Sequence, residues 1–447
     1  MSRPSTAQLE TSAASVASIV QRARAASRAL AKLSSEARND VLRAAAEAFE
    51  QNAQRILEAN AADCRAAEPA VAAGKMSPPM FVRLRVKGSG VAQMATQIRE
   101  VARLEDPLGR RLAATELDDG LVLYKESCPL GVIGVVFESR PDVVPQLASL
   151  ALKSGNAVIL KGGSEAVQTN EVLVSIWREC LGRFPSVPVD SINLLQTRAD
   201  VLELLAQDRD VDLIIPRGSY ELVRFIVEHS KIPVLGHGEG ICHVYIDRAA
   251  DVNKAVDITY DAKVQYPAVC NAAETLLVHE AIAEKFLPQA VAKLKEAGVE
   301  IRGCPKALAL LPKEGIVRAT EQDWRTEYGD LILSVKVVAD LEEAIDHINR
   351  FGSHHTDAIV TEDAEAAKNF MNEVDSAGVF QNASTRFADG FRYGFGAEVG
   401  ISTNKLHARG PMGLEGLTTY KYKLYGKGHT VEPYAKGEKQ FKHRRLT

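Results

Sequence analysis

The sequence predicts an α/β protein: two doubly wound lobes of parallel strands, with a β-hairpin preceding the first. Three observations carry that prediction. From residue 131 onward, short apolar runs alternate with helix-length segments, which is the rhythm of a parallel sheet covered by its own crossovers. A second series with the same rhythm begins after Cys270. Between residues 111 and 130, Asp-Asp-Gly separates two alternating segments, a hairpin signal.

Each element follows in order. Residues 8–103 read as helical. "SSEARNDVLRAAAEAFEQNAQRILEANAADCRAAE" (34–68) starts with serine caps and repeats apolar residues at spacings of three and four, and "PPMFVRLRVKGSGVAQMATQIREVARL" continues from a proline-marked start. After the hairpin, "GVIGVVF" (131–137), "AVILK" (157–161), "SINLL" (191–195) and "VDLII" (211–215) read as buried strands. Helices are expected over 141–153, 167–182 and 198–206. The second series runs "AETLLVH", helix 281–296, "LILSVKVV", helix 340–350, "DAIVT", helix 362–372 and "GVFQN". "VLGHGEGICHVYI" (234–246) reads as a flexible glycine-dense crossover, and the tail "AKGEKQFKHRRLT" as basic, polar and mobile. No internal repeat is evident.

Composition narrows the function classes. The chain has 447 residues, 46% hydrophobic, with a formal net charge of −4. It has ample apolar material for full-sized cores and no global attraction to nucleic acid or membrane. No stretch approaches the roughly 20 apolar residues of a membrane span, and the N-terminus shows no secretory signal. A cytoplasmic protein binding neither nucleic acid nor membrane is expected. The six cysteines, at 64, 128, 180, 242, 270 and 304, lack the spacing of a zinc ribbon or redox pair, so no metal site is expected.

Two strand-to-helix turns suggest a phosphate-bearing cofactor. "ILKGGSEA" (159–166) places Lys161 and two glycines where backbone can approach a ligand, and Gly218 and Ser219 in "IIPRGSYELV" (214–223) open a helix whose N-terminus favours anions. "GFGAEVG" (394–400) lacks the spacing of the dinucleotide fingerprint. His237 and His243 are candidates for catalysis, without partners at metal-ligand spacing.

The succession "PLGVIGVVFESRP", "ILKGGSEA", "IIPRGSYELV", "YPAVCNAAETLLVH" and "FGAEVGIST…LHARGPMGLEGLTTYKY" resembles the γ-glutamyl phosphate reductase family of the aldehyde dehydrogenase superfamily, from about residue 20 to 425. The resemblance implies an aldehyde dehydrogenase-like fold and NADPH-dependent reduction of L-glutamyl 5-phosphate to L-glutamate 5-semialdehyde, a step of proline biosynthesis. It implies an NADP-binding domain over 1–110 and 131–262, a catalytic domain over 263–400, and an oligomerisation flap and tail over 111–130 and 401–447. Cys270 matches the nucleophile; Asn271, which follows it directly, offers backbone and side-chain N–H groups to stabilise the oxyanion. Lys161, Ser164, Gly218, Ser219 and Glu327 match the cofactor site. For the substrate, the expected contacts are Arg140, Ser402, Thr403 and Arg409, since an amino acid bearing an acyl phosphate needs cationic and hydrogen-bonding partners. A homodimer or larger homo-oligomer follows from the flap, and a transient contact with the upstream glutamate kinase is admitted.

The chemistry itself calls for a nucleophile such as Cys270. A thiolate displaces phosphate to give a thioester, which then accepts hydride; an ordinary thiol is only a few per cent ionised at neutral pH, so the site is expected to favour the thiolate. Two departures matter. Hydrolytic aldehyde dehydrogenases, the alternative reading, carry a glutamate base in "LELGG", where this chain has Leu235, Gly236, His237 and Gly238, with Glu239 displaced. "FESRPDV" (137–143) replaces the stretch bearing the superfamily's oxyanion asparagine.

Overall fold

The structure is a computed structural model describing residues 15–236, 238–312 and 315–446. The start of the helix expected from residue 8, and His237, lie outside the described residues. The chain forms two compact units, one of residues 1–218, 225–234 and 418–447, the other of residues 219–224 and 235–417.

The first unit opens with helices Val16–Leu30, Ser35–Gln51, Ala53–Ala72, Pro78–Leu84 and Gly88–Arg103. Serine starts three of them: the Ser15, Ser34 and Ser77 side chains accept from Ser18 N, Ala37 N and Met80 N, satisfying otherwise orphaned amides. The hairpin follows as β1 (Arg111–Asp118) and β2 (Leu121–Pro129). Next come β3 (Val132–Phe137), β4 (Ala157–Lys161), β5 (Ile192–Leu194) and β6 (Leu213–Arg217). They form a parallel sheet in the order β5-β4-β3-β6. Every residue of β3 and β4 is buried, as a strand covered on both faces requires.

The second unit is built on seven parallel strands: β7 (Cys242–Ile246), β8 (Ala273–His279), β9 (Glu300–Gly303), β10 (Ile316–Arg318), β11 (Ile332–Val338), β12 (Thr356–Val360) and β13 (Gly378–Gln381). Their order is β10-β9-β11-β8-β7-β12-β13. Alternate residues feed two cores. Val244, Ile246, Leu276 and Val278 pack with helices Val252–Val264 and Glu280–Glu296, whereas Tyr245 and Leu277 pack with Leu341–Phe351 and Ala364–Glu373. Each fully buried Leu or Val contributes about 1.5–3 kcal/mol. β14 (Gly400–Ser402) and β15 (Gly410–Met412) add an antiparallel pair.

The unit boundary falls at 234/235 rather than 262/263. β7 bonds to β8 and β12, so the segment read as a crossover ends in a central strand of the second sheet. Residues 401–417 likewise belong to this unit rather than to the flap.

The chain then returns to the hairpin. β16 (Thr418–Tyr425) pairs with β2 along its whole length, and β17 (Arg444–Arg445) pairs with β1, giving an antiparallel sheet in the order β16-β2-β1-β17. The tail is therefore fastened, contrary to the expectation of mobility. Its bases meet the acidic edge of β1: Arg444 pairs with Glu116 at 2.6 Å and Lys442 with Asp119, while Tyr434 donates to Asp118 at 2.7 Å. Among the described residues, no helix is long and apolar enough to cross a membrane.

Candidate active site

Cys270 and Asn271 occupy the middle of a turn closed by Ala272 N donating to Val269 O at 2.9 Å, immediately before β8. Of the six thiols, Cys64, Cys180, Cys242 and Cys304 are buried and Cys128 lies on the hairpin sheet; Cys270 is the partly accessible one in the second unit. Thr385 Oγ1 donates to Asn271 O at 2.7 Å, Asn271 Nδ2 donates to Ala388 O at 2.8 Å, and Arg386 Nε donates to Gln265 Oε1 at 3.0 Å. Segment 384–388 thus clasps the turn on both sides of the cysteine. One amide hydrogen of Asn271, expected to serve the oxyanion, is committed to this clasp, and its Oδ1 is buried without a partner. Arg386 is a buried cation; burial first, and then the like charge of Arg392, hold its pKa below the ordinary arginine value.

Gly240 closes the turn from behind. A Cβ there would stand 2.1 Å from Cys270 O and 2.5 Å from its Cα, so only glycine allows this approach. The thiol meets a residue that sequence reasoning missed. His355, fully buried just before β12, brings Nε2 to 3.2 Å from Cys270 Sγ, while its Nδ1 lies 3.0 Å from Thr356 Oγ1 and 3.6 Å from Cys242 Sγ. Cys242 Sγ in turn donates to Cys270 O at 3.2 Å. Complete burial, reinforced by the Asp357 charge, pushes the Cys242 thiol well up, so it remains a neutral donor. The histidine singled out in the sequence, His243, is different: fully buried, its Nδ1 is 2.9 Å from Asp357.

Glu239 is the neighbour of Gly240, so its displacement in sequence does not carry it far from the cysteine turn. Burial, with the charge of Glu327, raises its pKa. Glu327 sits on a loop whose Gly329 N donates to Glu274 Oε1 at 3.2 Å. Glu274 Oε2 meets Lys263 Nζ at 2.6 Å, and both side chains are buried. Desolvation lifts the pKa of Glu274 and lowers that of Lys263. Ser402 is buried and accepts from Asn404 N at 3.3 Å; Thr403 follows it, half-buried. Arg409 and Lys405 both pair with Asp375, at 3.0 and 2.6 Å, and Arg409 also reaches Asp375 O, which lies 2.6 Å from His354 Nδ1. The Arg409 charge is thereby compensated within the fold.

The remaining expected residues lie in the first unit or at its boundary. Lys161, the last residue of β4, is 8% exposed, and its ammonium donates to Gly162 O at 2.5 Å. Burial lowers its pKa, with the Glu165 and Asp200 charges opposing. Glu165 is turned onto Ser139, accepting from its N and Oγ at 2.6 and 2.9 Å, and Gly163 has no room for a Cβ beneath that carboxylate. Ser164 beside it is exposed. An incompletely compensated buried ammonium, two glycines and an exposed hydroxyl fit a phosphate-bearing cofactor. Gly218 and Ser219 are exposed at the start of helix Tyr220–His229, where Ser219 Oγ accepts from Leu222 N at 3.3 Å. Arg140 follows Ser139 and pairs with Asp142 at 3.1 Å.

The chain is similar to known proteins over most of its length. Residues 5–302 match the aldehyde dehydrogenase family. The γ-glutamyl phosphate reductase of Synechococcus sp. (strain JA-2-3B'a(2-13)) is 55% identical over 426 residues, covering 95% of this chain and 93% of that one. That of Methanococcoides burtonii is 54% identical, with 93% of each chain covered. The crystal structure of γ-glutamyl phosphate reductase from Thermotoga maritima superposes with a TM-score of 0.90 at 40% identity, covering 93% of this chain and all of that one.

Proposed function

From the premise that the chain belongs to the aldehyde dehydrogenase family, among its γ-glutamyl phosphate reductases, we propose that Cys270 carries the reduction of L-glutamyl 5-phosphate to L-glutamate 5-semialdehyde. The observation that carries this assignment is the clasped turn, which holds an accessible thiol rigidly while four other thiols are buried.

The Cys270 thiolate attacks the acyl carbon, the bond to phosphate breaks, and a thioester remains on Sγ. The family uses NAD or NADP; the buried Lys161 ammonium with exposed Ser164 beside it supports NADPH, which when bound supplies the hydride. Lys161 and Ser164 would hold the adenosine phosphate end, Gly218 and Ser219 the pyrophosphate, and Glu327 the nicotinamide ribose. Asn271 would stabilise the oxyanion through its backbone N–H and its remaining amide hydrogen. Arg386, buried in the clasp, suits an anionic group of the substrate, alongside Arg140, Ser402, Thr403 and Arg409. The antiparallel sheet of β16, β2, β1 and β17 supports homo-oligomerisation, with exposed Tyr420, Tyr422, Leu424 and Tyr425 on its outer strand. A cytoplasmic biosynthetic enzyme completes the reading.

The test runs the reaction backwards. With glutamate semialdehyde and NADP⁺, NADPH formation should depend steeply on added phosphate, because water has no carboxylate base at 235–238 and general-base help is worth about 10²–10⁴-fold. Steady turnover to free glutamate without phosphate would favour the hydrolytic alternative, with Glu239 as its base.

A further inference from the structure

His355 stands beside the nucleophile without an assigned task. Its Nε2 lies 3.2 Å from Cys270 Sγ, within reach of proton transfer for a sulfur donor. The ring's other nitrogen faces Thr356 Oγ1 at 3.0 Å; in the neutral tautomer that leaves Nε2 free to accept, Nδ1 carries the hydrogen and donates to this hydroxyl, and it does the same in the imidazolium, so that contact serves both protonation states. Nearby, Cys242 gives its S–H to Cys270 O and anchors the turn from the same side. The His355 carbonyl accepts from Gly378 N at 3.0 Å, fixing the residue between β12 and β13. The ring is fully buried, which excludes water as a competing partner for the thiol on that side.

We infer that His355 is the catalytic base that takes the proton of Cys270. The S–H bond breaks and its proton passes to Nε2, leaving thiolate and imidazolium side by side. The sulfur electron pair forms the bond to the acyl carbon, the carbon–oxygen bond breaks, and phosphate departs with that pair. Once hydride, the reductant that bound NADPH would supply, has added to the thioester carbon and moved the carbonyl pair onto oxygen, that oxyanion re-forms the carbon–oxygen double bond, the sulfur–carbon bond breaks with its electrons returning to sulfur, still facing the imidazolium, and the aldehyde is released.

The inference rests on Cys270 being the nucleophile, and the test separates the two. Iodoacetamide is reacted with the protein at neutral pH without substrate or cofactor, and modification of the Cys270 peptide is timed by mass analysis. In His355→Asn and His355→Gln the rate should fall roughly 30-fold, toward that of an ordinary thiol only a few per cent ionised. Turnover should fall by about 10²–10⁴-fold. Alkylation within about threefold of wild type in a folded variant overturns the role of His355, whatever happens to turnover. Activity surviving in Cys270→Ser would instead overturn the nucleophile. If neither His355 variant folds, the unsubstituted protein decides: thiolate ultraviolet absorbance that vanishes on alkylating Cys270 supports the pair, and its absence at neutral pH refutes it.

Discussion

Gly240→Ala is the sharpest perturbation the cysteine turn offers. The added Cβ would lie 2.1 Å from Cys270 O, 2.5 Å from its Cα and 2.6 Å from its carbonyl carbon. These are backbone atoms, so no side-chain rotation relieves the overlap. Restoring ordinary contact requires the two segments to part by about 1 Å, and a misplacement of that size at a reacting atom costs about 10²-fold in rate. Overpacking costs stability as well, about 1–3 kcal/mol. Gly238→Ala, two residues earlier, is the control. Its Cβ would sit 3.2 Å from two carbons of the Tyr220 ring, a side chain 45% exposed that can yield. Phosphate-dependent NADPH formation and a denaturant unfolding curve read both variants. The expected result is a loss of about 10²-fold in kcat/KM for Gly240→Ala and less than about threefold for Gly238→Ala. Equal, small losses in both would refute the close approach of Gly240 to the turn.

Two further outcomes are open to measurement. Lys161→Ala should raise the KM for NADPH far more than that for NADH, because it removes a charge-assisted contact to the 2′-phosphate; equal weakening would show that Lys161 does not read that group. His347, 3% exposed beside Phe351 and Trp324, has its pKa pushed down from 6.5 to about 2 by burial. Below pH 6.5 the unfolded chain binds a proton that the folded chain refuses, so stability is full above that pH and is lost as pH falls. Between about pH 7.5 and 5.5 the loss from this one group is about 1.4 kcal/mol. His347→Phe should remove it, and a wild-type-minus-variant stability difference that stays constant with pH would contradict the buried neutral imidazole.

Much of the scaffold was legible because buried parallel strands announce themselves as apolar runs. "AVILK" is β4 and "AETLLVH" is β8, residue for residue. β9 and β10 escaped notice because three- and four-residue strands with Glu300, Arg302 and Arg318 among them leave too short a pattern. β17 was hidden by its charge, since its pairing depends on acids of β1 far away in sequence. At the site, Cys270 was legible through its resemblance to a known loop. His355 was not: "GSHHTD" is a plain polar turn, 85 residues from the cysteine, and only the order β8-β7-β12 makes them neighbours. Gly240 was read as slack in a crossover because nothing local shows what a Cβ there would strike.

Gly240, Cys270 and His355 each stand just before one of three adjacent strands, β7, β8 and β12. Their meeting therefore depends on strand pairings that are distant along the chain, the slowest kind to form. During synthesis the cysteine emerges well before β12 exists to dock against β7. A nascent chain at that stage carries a thiol without its histidine neighbour, as unreactive toward cellular electrophiles as any surface cysteine. Completion of the sheet arms it, so recovery of Cys270 reactivity would trail recovery of helix content in refolding and mark the moment the second unit closes.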